Sequence, residues 1–452
     1  MMRCAFVPSV LLLAIIPRLV YAATAEPQGK LATATAKPSK ESDYELYKVL
    51  ADTMDQVERN YVVEVDRREL IESAIRGVLT KLDPYSSYIP AGELGRFRSS
   101  VESEFGGIGI QIAMDGGRLQ ILSPMYGTPA YRAGLLAGDH IVEIDGKSTE
   151  GRTLDEAIEQ LKGDAGTTVA LTVIHPGKTA KEKLTIKREK IHIDTVLGDR
   201  RKPDGTWDYM LDATQHIGYV RVTAFSRDTA AELGRVMTQL QSQNLRGLIL
   251  DLRFDPGGLL SAAIEVSDLF VEEGRIVSTK GKNSLERTWD ARKGGAFENL
   301  PLVVLVNHYT ASASEIVAAC LQDHKRAVVI GERTWGKGSV QSVIEIEDGR
   351  SALKLTTASY CRPNGKNINR SREAKENDEW GVVPDKGFDI KLTDSEMLAL
   401  MQARRARDIL QPTSKDSAAA AELPAKRQPP SVVDRQLQAA LKYLGTELAK
   451  AP

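Results

Sequence analysis

Cysteine is scarce in this chain, three in 452 residues, and no cluster of Cys and His has zinc-binding spacing. A Walker phosphate loop and a dinucleotide fingerprint are also missing, so no metal, nucleotide or other cofactor is expected. The formal charge of -1 provides no excess of one sign to bind nucleic acid or an anionic membrane. Long apolar runs are absent too: the stretch Val10 to Ile16 is broken by Pro17 and Arg18 and is short for a bilayer span. No serine sits in a G-x-S-x-G elbow, which removes the commonest signature of a Ser/His hydrolase.

What is present begins with an address. Arg3, the apolar stretch and Val20-Tyr21-Ala22 read together as a signal peptide over residues 1–22, with an uncleaved N-terminal anchor as the alternative. Export follows, with the periplasm as the expected destination. Removing the signal removes Cys4; Cys320 and Cys361 then read as separate thiols rather than a disulfide. At 42 % hydrophobic and 27 % charged the composition is that of a soluble globular protein, and the length implies more than one domain.

Residues 23–41, rich in Ala, Thr, Lys and Pro, read as a linker. Apolar positions Leu46, Val49, Leu50, Met54 and Val57 recur at helical spacing in an N-terminal helical region, 42–99, and a second helix is expected over Arg67 to Lys81. At the other end, residues 396–452 read as a linker, from about Pro412 to Ser431, and a helix from Val433 to Lys450. That helix carries Leu437, Leu441 and Leu444 on one side, a stripe offered to a partner subunit.

Chemistry concentrates between Thr310 and Gln341. Pro301 to Val306 (PLVVLV) is a strand buried on both faces, and a helix starts near Ser314 with Glu315 in its first turn. Ser312 therefore sits at a strand-to-helix turn between Ala311 and Ala313, open to an incoming carbonyl, with the Ala313 amide positioned for an oxyanion. The bland reading of such a serine is a helix N-cap.

Downstream, a strand from Ala327 to Ile330 leads into Trp335-Gly336-Lys337-Gly338-Ser339. For Lys337 to act as a general base its pKa must fall from about 10.4 to roughly 7 to 8, which apolar burial can achieve. Trp335 is the expected desolvating wall. Gln341 is expected on the same side as Lys337, holding its amine. A second oxyanion donor is expected from the Asp255-Pro256-Gly257-Gly258 turn, after a buried strand Leu248 to Leu252 and before a helix near Leu259. Gly258 is the first choice and Gly257 the second.

From about Tyr44 to Asp389 the chain resembles the carboxyl-terminal processing peptidases, or tail-specific proteases. The resemblance implies that Ser312, in NHYTASASEI, is the nucleophile; that Lys337 and Gln341, in GKGSVQ, are base and supporting amide; and that Ala313 and Gly258 donate to the oxyanion. It also implies an α/β fold: a crotonase/ClpP-like mixed sheet core over residues 191–395, an inserted PDZ domain over 100–190, and helical terminal segments that often dimerise.

The residues agree on the PDZ domain. A glycine-rich loop (Gly106, Gly107, Ile108, Gly109, Ile110) can present amides to a peptide carboxylate. It is followed by strands, the helix TLDEAIEQLKG and the strand Thr168 to Ile174. A peptide C-terminus would add as a strand between Gly109 to Ala113 and the helix from Leu154 to Leu161. The partners implied are proteins or peptides with free C-termini, a second copy of the chain, and an adaptor protein.

Family members usually carry asparagines and glycines where this chain has Phe254-Asp255 and His308-Tyr309-Thr310. These bulkier or charged residues motivate one rival, a peptide-binding scaffold of the same fold with weak or no activity. A Ser/His pair using His308 is a second, though spacing alone supplies His308 with no carboxylate. An esterase is a third, against which the peptide-end module argues.

Overall fold

The computed structural model describes residues 42–450 apart from 103, 283–284, 294–296, 298, 372 and 411–432. The signal peptide, both linkers and Cys4 therefore lie outside the described residues. Two units are distinguished, one ending at Leu70 and one beginning at Ile71.

In the first unit a helix spans Asp43–Asn60. Its start is fixed by reciprocal hydrogen bonds, Glu45 N to the Ser42 hydroxyl at 3.3 Å and Ser42 N to the Glu45 carboxylate at 2.9 Å, a capping box. No residue of this helix is buried, and Tyr44, Tyr47, Val49 and Leu50 are exposed. The next helix, Arg67–Thr80, ends one residue before the expected Lys81.

The heart of the second unit is a six-stranded sheet. Strands Ile217–Val222, Gly247–Asp251, Leu302–Val306 and Val328–Gly331 run parallel in that order, with Val196–Leu197 and Met210–Asp212 antiparallel to the first of them. Every residue of the first three is buried, as parallel strands covered on both faces require. Because side chains alternate along a strand, the same segments feed two cores. Val220, Leu248, Leu250, Val304 and Val306 face the helices Thr229–Ser242, Leu260–Asp268 and Ala313–Asp323. Tyr219, Ile249, Val303 and Leu305 face the other way, onto Ala440, Leu444 and Leu448.

Those last three belong to the helix Arg435–Lys450. Its apolar stripe thus covers the chain's own sheet rather than a partner subunit, which corrects the sequence expectation: a parallel sheet needs both faces covered, and this helix closes the second. Burying each leucine there contributes about 1.5–3 kcal/mol. A helix not anticipated from the sequence, Asp394–Asp408, adds Arg404 to a buried network at the carboxyl end of the sheet. Arg253, wholly buried, reaches Asp251 at 2.6 Å and Asp434 at 2.9 Å, and the Arg404 guanidinium donates to the same Asp251 oxygen. Asp251 also accepts the Tyr219 hydroxyl at 2.6 Å.

A second, antiparallel sheet holds Ser87–Ile89, Ser351–Cys361, Arg275–Gly281 and Arg287–Asp290 in that order, with Ser339–Ile346 paired along Ser351–Cys361. A third, formed by Ile110–Asp115, Arg118–Pro124, His140–Ile144, Thr168–Ile174 and Lys181–Lys187, encloses its own core around Ile121, Ile141, Leu171 and Leu161. Its flanking helix is Leu154–Leu161. The chain enters and leaves this domain through one antiparallel pair, Glu104–Gly107 against Glu189–His192.

Candidate active site

Two loops leave the carboxyl ends of adjacent parallel strands, after Asp251 and after Val306, where α/β sheets commonly bind ligands. They are tied together by polar contacts. Asn307 Oδ1 accepts the amides of Phe254 and Tyr309 at 3.0 and 3.1 Å, and the Thr310 hydroxyl donates to Leu252 O at 2.8 Å. Asp255 O accepts Ala311 N at 3.0 Å and the Ser314 hydroxyl at 3.2 Å.

Ser312 occupies the end of the second loop with φ 59° and ψ -116°. Such a backbone costs a non-glycine residue roughly 1–3 kcal/mol and persists only where its surroundings over-determine it. Here they do. The wholly buried Glu315 accepts Ser312 N and Lys337 N on one oxygen, each at 2.8 Å, and Gly336 N at 2.7 Å and the Thr334 hydroxyl on the other. The buried Tyr360 hydroxyl lies within hydrogen-bond distance of both Ser312 O and Lys337 O. Burial pushes the Glu315 carboxyl up, against the pull of these donors. Ser312 does stand at the N-cap position of its helix, but in a conformation ordinary N-caps, with β-region backbone, do not adopt.

Ser312, Ala313, Gly258, Lys337 and Gln341 line one cleft of about 570 Å³. Lys337 is half-buried, and its amine lies 5.0 Å from the centre of the Tyr85 ring. Burial first, and then the neighbouring positive Lys354, hold this amine below the ordinary lysine range, with Glu315 opposing. Trp335, expected as the covering wall, is 48 % exposed and donates to the Tyr85 hydroxyl at 3.3 Å. Tyr85 covers the lysine instead. It comes from 252 residues upstream, a distance over which sequence spacing carries no signal.

Among the described residues, the amides of Ala313 and Gly258 donate no hydrogen bond, while Gly257 N is taken by Asp255 Oδ1 at 2.8 Å. Gly257 is thereby excluded as the second donor. Both glycines are obligatory for shape. A Cβ on Gly258, at φ +156°, would lie 2.1 Å from Phe225 O; one on Gly257, at φ +95°, would lie 2.7 Å from Ala313 N. Asp255 itself is wholly buried, its Oδ2 has no partner, and burial raises its carboxyl well above the usual range.

Gln341 does not hold the Lys337 amine. Its amide donates to the Ser339 and Thr356 hydroxyls at 2.9 and 3.2 Å, because a register shift between Val340 and Gln341 breaks the simple alternation from which the contact was expected. His308 lies outside the lining of the cleft and pairs through Nδ1 with Glu332 at 3.0 Å. Phe254 and Tyr309 also stay out of the cleft, stacked on each other at 5.7 Å.

In the third sheet's domain, Gly106 and Gly107 pair with Lys190 and Glu189 in the two-stranded neck, so their side of the glycine-rich loop is structural. The Ile108 side chain is buried in the domain core, while the amides of Ile108 and Gly109 donate to no described acceptor. Ile110 begins the strand Ile110–Asp115, which lies at the edge of this sheet. Cys320 and Cys361 are both free thiols. Among the described residues one grouping has metal-ligand character, Glu104, His192 and Asp228 at the neck; His192 also pairs with Glu232, and none of these residues lines the cleft.

The pattern of peptidase family S41 matches residues 216–386, a PDZ domain pattern matches 120–174, and that of the activating protease CtpB N-terminal domain matches 17–92. The carboxy-terminal-processing protease of Bartonella bacilliformis is 39 % identical over 425 residues, covering 90 % of each chain. The carboxy-terminal processing protease CtpA of Bacillus subtilis is 36 % identical over 318 residues, 70 % of this chain and 65 % of that one. Among solved structures, a photosystem II D1 C-terminal processing protease aligns with 82 % of this chain and 96 % of its own, at 29 % identity and TM-score 0.42.

Proposed function

The chain belongs to peptidase family S41, among the carboxy-terminal processing proteases, and from that premise we propose that it is an exported serine endopeptidase working through a Ser312/Lys337 dyad. The observation that carries the assignment is the shared Glu315 oxygen: two amides bound at 2.8 Å each hold a strained serine and a depressed-pKa lysine against one cleft. Neutral Lys337 takes the Ser312 hydroxyl proton as the serine oxygen attacks a peptide carbonyl. The free amides of Ala313 and Gly258 receive the oxyanion, the amine returns its proton to the leaving nitrogen, and water then hydrolyses the acyl-enzyme. Tyr360 and Glu315 bind the backbone of Ser312 and Lys337 and act as positioning residues. Gln341 steadies the cleft wall through Ser339 and Thr356.

The PDZ domain, whose relatives include a solved domain in complex with peptide, fits capture of a substrate's free C-terminus through the Ile108 and Gly109 amides. Delivery of the tail to Ser312 follows from this order of domains. A homodimer through the N-terminal helix is consistent with its exposed Tyr44, Tyr47, Val49 and Leu50. Export to the periplasm rests on residues 1–22 alone.

The test is cleavage of a protein bearing an unstructured C-terminal tail by the mature chain, beside Ser312→Ala and Lys337→Ala. Wild-type turnover with loss of about 10³-fold or more in both variants supports the dyad; an inert wild type favours the scaffold reading. Turnover of small esters with none of polypeptides would favour the esterase.

A further inference from the structure

The cleft's walls are largely apolar, with Phe225, Leu259, Ile316 and Val340 among them, yet four charged side chains also open onto it. They are Arg98, Arg227, Lys337 and Lys354, and no Asp or Glu lines the cleft with them. Arg98 is met by Glu345, from outside the lining.

Lys354 is different. It sits mid-strand in Ser351–Cys361, between Ser87 on one side and Val343 on the other, half-buried. Among the described residues its amine has neither a hydrogen bond nor an ion-pair partner. A lysine on the cleft wall without an acidic neighbour leaves its donors open to any ligand that brings a negative charge. Lys337 cannot supply that charge, and Lys354 lines the same cleft as the dyad.

We propose that Lys354 is a specificity residue that selects a carboxylate on the substrate segment occupying the cleft. This rests on the peptidase reading above and deepens it. The carboxylate has two sources, an Asp or Glu side chain next to the scissile bond or the free C-terminus of a short tail. The chemistry of recognition is the same for both, whereas cleavage with indifference to charge is what the apolar walls alone would give.

The experiment uses the mature full-length chain and internally quenched peptides in which Glu or Gln is walked one position at a time across the scissile bond, each made with a free and an amidated C-terminus. The readout is the ratio of kcat/KM between the charged and uncharged members of a pair. Any general effect of Lys354 on the base cancels in that ratio. The wild type is expected to favour the charged member at one or more positions by about tenfold, a modest fraction of the Coulomb attraction available at a partly buried site. Lys354→Met brings the ratio to near one and Lys354→Glu inverts it.

A Glu/Gln preference abolished by Lys354→Met assigns the side-chain source, and an acid/amide preference abolished by it assigns the terminal one. An acid/amide preference that survives Lys354→Met belongs to the PDZ groove and removes the terminal source; when no Glu/Gln preference is abolished beside it the proposal is overturned, as it is by a wild-type ratio near one throughout. A wild type that cleaves the tailed protein but none of these pairs selectively overturns this inference alone, whereas one that cleaves nothing overturns the peptidase reading and this inference with it.

Discussion

Ser312 and Lys337 donate their backbone amides to the same carboxylate oxygen, Glu315 Oε2, each at 2.8 Å. The two nitrogens can therefore be no farther apart than twice that length, and one buried side chain sets the spacing between nucleophile and base. Glu315→Gln keeps the volume but turns one acceptor oxygen into an NH₂ group facing amide donors. Breaking a buried charge-assisted network of this kind costs about 3–5 kcal/mol. We expect a lower melting temperature and, at temperatures where the variant is folded, a fall in kcat of at least about tenfold with KM changed little. Unchanged kcat in the folded variant would show that Glu315 does not set the dyad.

Gly257 lies against the oxyanion position without being a donor. Its substitution by Ala would bring a Cβ to 2.7 Å from Ala313 N and 2.9 Å from Ser312 Cβ, at φ +95°. Losing one oxyanion donor typically lowers kcat by roughly 10²–10³-fold. Gly257→Ala is expected to lose activity on that scale while its circular dichroism stays native, measured on the same tailed substrate; retention of full kcat would remove the Ala313 amide from the mechanism.

Asp255 is a buried carboxyl with one oxygen unpartnered, and its folded pKa is raised by burial. Above the unfolded value the unfolded chain gives up this proton while the folded chain keeps it. Stability is thus fully present below the unfolded pKa near 3.9 and is lost as pH rises toward the folded pKa, at about 1.4 kcal/mol per pH unit. Asp255→Asn keeps an acceptor for Gly257 N and removes the titration. The variant's melting temperature should gain on the wild type as pH rises from about 5 toward about 8, the range in which folded proteins are ordinarily most stable. Parallel curves would contradict the neutral carboxyl.

Legibility in the sequence followed the range of the interactions. The strand-turn-helix segments around Ser312 and Gly258 were readable because β-branched runs, glycines and an N-terminal acidic turn are local signals, and the helix Leu154–Leu161 and strand Thr168–Ile174 fall where the pattern put them. Tyr85, Tyr360 and the Arg404 network were not readable, because each reaches the site from a distant element. Gln341 was misdirected by a bulge that no residue type announces. Glu315 was visible as a first-turn acid, but its four donors include three from the Thr334–Lys337 loop, a contact only folding creates.

The C-terminal helix is fastened as well as packed. Arg253, wholly buried, pairs with Asp434 just before that helix and with Asp251 on the sheet. Asp434→Ala leaves the guanidinium half-compensated and should cost about 3–5 kcal/mol in urea unfolding. A change below about 1 kcal/mol would mean that water replaces the carboxylate.

The account turns on an uncharged amine at Lys337. Burial and Lys354 depress its pKa, so the amine sheds its proton at lower pH than a solvated lysine and kcat/KM should rise with pH through that same value. The direct measurement is a titration of the Lys337 ε-carbon resonance in the selectively ¹³C-labelled mature chain, with Lys337→Arg to assign it. The account predicts a midpoint well below the ordinary value of about 10.4, coincident with the acidic limb of kcat/KM. A midpoint at the ordinary value in an enzyme already fully active at neutral pH would contradict it.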